Sequence, residues 1–118
     1  ELFCDFIFLT RPSIPSFMVD PLREICDLNH KTMDSLLDFV KIFIEGKEDF
    51  YSKKEEIQKY EEIVDKTQFN LTRSIFKSEL KKIEKFHLKS VVDKFSRITD
   101  LIEDATDRIE VLAAKLKM

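Results

Sequence analysis

Apolar residues recur every three or four positions along most of this chain, which is the spacing of one face of an α-helix. From Leu22 the series Ile25, Asn29, Met33, Leu36, Val40 and Phe43 keeps that step, with one polar break at Asn29. Leu28, Leu37 and Ile44 widen the stripe to the breadth of a core-facing helix. Asp20-Pro21 predicts the start, an acidic N-cap followed by Pro at the first helical position. Gly46, the only glycine, predicts the end, so the first long helix is expected over about 21–45. A second is expected over 52–77, opened by Ser52 and Glu55 at capping-box spacing. Its seam is Ile57, Tyr60, Val64, Thr67, Leu71 and Ile75. The third is expected over 84–117, with the seam Leu88, Val91, Phe95, Ile98, Ile102, Ala105, Ile109, Leu112 and Leu116. Regular three-four steps favour shallow packing angles, and short connections place the helices up-down-up.

The N-terminal stretch reads differently. Residues 1–12 read as the end of a preceding helix, stopped at Arg11-Pro12, and residues 13–19 as a Pro-containing connector. Leu2, Phe3, Phe6, Ile7 and Leu9 are too apolar to lie free in water, and such a patch usually marks an interface. The expected fold is therefore all-α: an up-down-up three-helix bundle over 20–118, preceded by the end of another helix. The first residue is Glu rather than Met, which suggests a fragment or a processed chain.

Composition agrees with that fold. The chain has 118 residues, 43% hydrophobic and 36% charged, enough for one small domain. One Gly and three Pro leave little room for the turns of an all-β fold. Twenty basic residues against 23 acidic give a net charge of −3, with no basic stripe of the kind that binds nucleic acid. Cys4 and Cys26 are few and far apart, as reduced thiols of a cytoplasmic protein would be. No apolar run is long enough to span a membrane, and LFCDFIFL is too short and lacks the basic lead of a signal peptide.

Chemistry enters through carboxylates. Glu61 and Asp65, in KYEEIVDK, and Glu103 and Asp107, in LIEDATDR, each stand four apart on a predicted helix. Each pair puts two carboxylates on one face, a poor ion pair and a plausible cation ligand. The same spacing occurs on ordinary solvated helix faces, and Asp34/Asp38 and Asp100/Asp104 repeat it here. A metal at these pairs would lie on the surface, between the second and third helices or between subunits. Two acid-x-x-His motifs, Asp27/His30 and Glu84/His87, leave open a carboxylate-bridged site of the ferritin type. Glu84 equally suits a helix N-terminus, and Cys26 with His30 is at most half of a zinc site. The eleven Phe are expected mostly in the core. No nucleophile-base grouping and no Gly-rich phosphate loop is present, so no enzymatic activity is expected.

The order of these elements resembles the PhoU-like phosphate-transport regulators, of the short type that accompanies Pit phosphate permeases. KYEEIVDKTQFNLTRSIFKSEL looks like the middle helix of a three-helix repeat, and FHLKSVVDKFSRITDLIEDATDRIEVLAAK like its third helix. RPSIPSF is similar to the link between two such repeats, and ELFCDFIFLT to the end of the first. The resemblance covers nearly the whole chain, which would be the C-terminal repeat. It implies a non-enzymatic cytoplasmic adaptor that touches a phosphate permease or its regulators at the membrane and forms homo-oligomers. It also implies that Glu61, Asp65, Glu103 and Asp107 ligate divalent metal or iron, with Asp100 and Asp104 as helpers. A metal-free helical interaction module is the plainer alternative.

Overall fold

The computed structural model describes residues 14–46 and 51–116, which form three α-helices and the turns beside them. They are α1 (Ser16–Ile44), α2 (Tyr51–Lys77) and α3 (Lys82–Leu116). All three helices pack on one another, and contacts between them fix an up-down-up order. Lys53 near the start of α2 reaches Asp38 near the end of α1. Gln68 of α2 donates to Asp93 of α3, and Lys54 pairs with Glu110 near the far end. The all-α bundle expected from the sequence is the observed fold. The apolar N-terminus, the expected helix end at 1–12 and most of the first turn lie outside the described residues.

α1 begins one turn earlier than its local signals predict. Pro15 is the N-cap residue, with extended backbone at φ −61° and ψ 149°, and Met18 N–H donates to its carbonyl at 3.0 Å. Asp20 is therefore not the cap, and Pro21 lies inside the helix, where it cannot donate to the Phe17 carbonyl. Packing decides the matter. Met18 is fully buried with Leu71, Ile75, Leu88 and Val92, and Leu22 closes the same cluster. The connector expected over 13–19 thus gives way to helix from Ser16. The other end follows expectation: Gly46 adopts φ +72°, the left-handed conformation that stops a helix. Ser52 lies within α2, so it is not that helix's cap. α3 starts at Lys82, which leaves Glu84 in the first turn, favourable to the helix dipole.

The α2 seam is the expected one, with Ile57, Val64, Leu71 and Ile75 buried. The other two seams rotate. On α3 the buried line runs through Leu88, Val91, Val92, Ser96, Thr99, Ile102, Thr106 and Ala113. Ile98, Leu112 and Leu116, expected inside, are exposed. On α1 the line runs through Ile25, Leu28, Asn29, Thr32, Ser35 and Phe39, while Met33, Leu37 and Ile44 are exposed. Small hydroxyl residues lie at the close contacts because each can satisfy its own polar atom. Thr32 Oγ1 donates to the Leu28 carbonyl at 2.5 Å, and Ser96 Oγ to the Val92 carbonyl at 2.9 Å. The phenylalanines also depart from expectation. Phe39 is fully buried, but Phe17, Phe69, Phe76 and Phe86 are exposed, the last two stacked edge-to-face at 5.5 Å.

Candidate metal centre

α2 and α3 run antiparallel, and the acids of both helices line the groove between them. The register brings Glu61 and Asp65 of α2 opposite Asp100 of α3. One carboxylate oxygen from each lies within 4.8 Å of the other two. Glu61 is half-buried, whereas Asp65 and Asp100 are open to solvent. Among the described residues this is the one group of three or more potential metal-ligating side chains.

Negative charges held this close disfavour ionisation. The Glu61 carboxyl is pushed up to about 8, first by a proton-sharing hydrogen bond with Asp65, then by burial and by the charges of Asp65 and Glu103. Burial followed by the Asp65 charge raises Asp100. Burial followed by Asp107, Asp100, Asp104 and Asp65 raises Glu103. Glu103 therefore belongs to the same field, although only three oxygens are drawn together. Asp104 is exposed and acts on Asp100 and Glu103 through charge. Asp107 turns to a different partner, Lys54 Nζ at 3.5 Å.

The lysines of the groove make the cluster stand out. At one end Lys54 pairs with both Asp107 and Glu110, which hold its ammonium above its usual range. At the other end Lys89 pairs with Asp93 at 2.6 Å, and Gln68 Nε2 donates to the same carboxylate at 2.8 Å. Each flanking acid group thus carries its own cation. Among the described residues, none of Glu61, Asp65, Asp100 and Glu103 forms an ion pair with Lys or Arg. Arg97 favours ionisation of Asp100 through charge alone, as the smallest of several effects. Lys54, Glu110, Gln68, Lys89 and Asp93 were not singled out from the sequence. Their signal was there: positions 54, 61, 65 and 68 fall on one helical face at steps of seven, four and three.

The donor set fits a hard or intermediate cation, since all three converging atoms are carboxylate oxygens. It does not fit the histidine-containing alternative. His30 is exposed and pairs with Asp34 one turn along its own helix, at 3.6 Å. His87 stands near the start of α3, and no histidine joins the acids among the described residues. Cys26 is an exposed free thiol raised by partial burial and then by Asp27, which suits neither a thiolate nor a zinc ligand.

Comparison with known proteins gives relatives of unassigned role. The chain is similar to a UPF0111 protein of Thermotoga maritima, 25% identical over 115 residues, which is 98% of this chain and 54% of the relative. It is 26% identical over 110 residues to a UPF0111 protein of Pyrococcus horikoshii, 92% of this chain and 52% of that one. The chain spans about half the length of these relatives. No family model matches the chain, and no solved structure matches it significantly. No helix among the described residues is long and apolar enough to cross a membrane.

Proposed function

We propose that this bundle is a non-enzymatic, cation-binding adaptor, and that its role is the regulation of phosphate transport. The cation would be held by Glu61, Asp65 and Asp100, with Glu103 completing the charge and Asp104 and Asp107 at the rim. One observation carries the metal half of the reading: the central acids converge across two helices without an internal cation, while their neighbours on both sides have a lysine. A divalent ion there would relieve carboxylate repulsion and tie α2 to α3, so that ion occupancy and groove shape become linked. Magnesium, manganese, calcium or iron would suit the oxygen donors.

The transport half rests on the sequence resemblance to PhoU-like regulators, in which acidic helix motifs of this spacing occur in the same order. On that reading the bundle contacts a phosphate permease or its regulators from the cytoplasmic side, as a peripheral partner. The test is elemental mass spectrometry on protein purified without a His tag, beside the variant Glu61→Gln, Asp65→Asn, Asp100→Asn, Glu103→Gln. Stoichiometric metal in the first and none in the second is the expected result. No metal in either leaves a metal-free interaction module, and equal metal in both puts the metal away from these carboxylates.

A further inference from the structure

The end of the bundle where α2 turns into α3 carries both exposed apolar side chains and an excess of positive charge. Phe76, in the last turn of α2, meets Phe86, near the start of α3, edge-to-face at 5.5 Å. Neither ring is drawn into the core: Phe76 is 39% and Phe86 52% exposed, and Ile83, at the apex, is 78% exposed. Each apolar residue has a lysine beside it in the chain, in Phe76-Lys77, Lys82-Ile83 and Lys85-Phe86, and Lys81 stands in the turn between the helices. Lys85 Nζ donates to the Phe76 carbonyl at 3.0 Å, which satisfies one of the open carbonyls at the end of α2. Arg73, Lys77, Lys81 and Lys82 are exposed, and none of them pairs with an acid among the described residues.

Charge is segregated along the chain. Residues 73–85 hold five of its 20 basic residues and two of its 23 acidic ones, Glu79 and Glu84, so this segment is positive on a chain whose net charge is −3. The start of α1 lies at the same end, since Met18 packs with Ile75 and Leu88. It adds exposed Ile14 and Phe17, then Asp20 and Arg23, whose charges offset. The converging carboxylates lie away from this end. Asp65 is twelve residues before Lys77, about 18 Å along the helix. Charges that far apart across water are largely screened at physiological salt, where the Debye length is about 8 Å.

We infer that this apex docks on the headgroup layer of an anionic lipid bilayer. The contact is peripheral, with no helix among the described residues long and apolar enough to span the membrane. Charge complementarity supports it: unpaired lysines held at such a surface are attracted by the anionic headgroups. Their long stems let the ammonium groups stay among the headgroups while Phe76, Ile83 and Phe86 enter the acyl boundary. A helix turn with three apolar side chains offers a rigid protein partner little area, whereas a bilayer closes around it. The acidic remainder of the chain is repelled by the same surface, so the charge pattern turns the apex toward it. The contact uses neither the carboxylate groove nor the phosphate-transport reading.

The test is flotation of the full chain with vesicles of phosphatidylcholine mixed with phosphatidylglycerol, beside vesicles of phosphatidylcholine alone. EDTA is present throughout, so that no divalent ion bridges the groove acids to lipid. Binding is expected to the first vesicles and not to the second. It should fall roughly tenfold or more when salt is raised from about 0.1 M to about 0.5 M. Lys77→Gln with Lys81→Gln and Lys82→Gln should weaken binding to the anionic vesicles on the order of a hundredfold. Ile83→Ser should weaken it roughly tenfold. All four positions are exposed, so the helical circular dichroism signal should not change. Lys31→Gln with Lys59→Gln and Lys66→Gln removes the same charge from the body of the bundle and should leave binding within about twofold of wild type. Equal binding to both vesicles, or equal loss in the two triple variants, would overturn the inference. Binding to neither would also overturn it and leave the apex to a protein partner. The apex variants should hold as much metal as wild type, so this result and that of the cation test are independent.

Discussion

Glu61 on α2 and Asp100 on α3 offer carboxylate oxygens within 4.8 Å of each other, and an oxygen of Asp65 lies within the same distance of both. The two helices are therefore pressed together at a point where they repel, and a proton partly relieves the repulsion. Glu61, raised from 4.5 to about 8, binds a proton in the folded chain at pH values where the unfolded chain has lost it. Between those values the folded state holds more protons, so stability falls as pH rises. Asp100 and Glu103 shift in the same direction and add to the slope. Cation-free protein should show a melting temperature that declines from pH 5 to pH 8 and then levels. Glu61→Gln should flatten that decline and raise the melting temperature at pH 8 by about 2–4 °C, as roughly 0.5 kcal/mol would after solvent screening. A melting temperature that rises across this interval in wild type would contradict the proton-sharing account.

Lys54 is the cation at one end of the groove, where it pairs with Asp107 and Glu110. Lys54→Met should deepen the negative field of the groove. Divalent cation affinity should increase roughly threefold or more, because charge in this groove is only partly screened. Stability without cation should drop by about 0.5–1 kcal/mol. Calorimetric titration with manganese checks the first effect and urea denaturation the second.

Asn29 is almost fully buried, and its Oδ1 lacks a hydrogen-bond partner although its Nδ2 has one. Asn29→Leu should therefore be tolerated to within about 1 kcal/mol, since it removes an unsatisfied acceptor along with one bond. Asn29→Asp should cost about 3 kcal/mol or shift its titration strongly upward, because it puts a charge in the same place. Denaturation midpoints at pH 5 and pH 8 distinguish the two, with the aspartate variant losing more at the higher pH.

Phe39 closes the lower core against Ala113, with Ile42, Phe43 and Ile109 around it. Phe39→Ala should destabilise by about 3–5 kcal/mol, the cost of a large buried cavity. Thr99→Val, at a fully buried hydroxyl that bonds only the Ser96 carbonyl of its own helix at 3.1 Å, should change stability by less than about 1 kcal/mol. The contrast, read from urea midpoints, checks that Thr99 serves close packing rather than a hydrogen bond between helices.

The sequence carried the fold in the α2 seam, where Ile57, Val64, Leu71 and Ile75 are both the periodic residues and the buried ones. It misled on α1 and α3, because the close helix contacts take Thr32, Ser35, Ser96, Thr99 and Thr106, which a hydrophobicity pattern scores as surface. Apolar Leu37, Ile98 and Leu112 then fall outside the core. The start of α1 was hidden for a related reason: burial of Met18 outweighs the local cap signal of Asp20-Pro21. The acidic spacing was legible, since four-residue steps alone put Glu61 beside Asp65. Which acids meet across the groove was not, because that depends on the α2–α3 register. The register selects Asp100 as the third converging oxygen and gives Asp107 to Lys54.

Manganese titration of the full chain by calorimetry, beside Glu61→Gln with Asp100→Asn, asks whether the converging carboxylates hold a cation. One saturable site per chain is expected in wild type and loss of that site in the variant, with helical content unchanged. A wild-type chain that takes up no cation, or a variant that binds as well as wild type, would contradict that expectation.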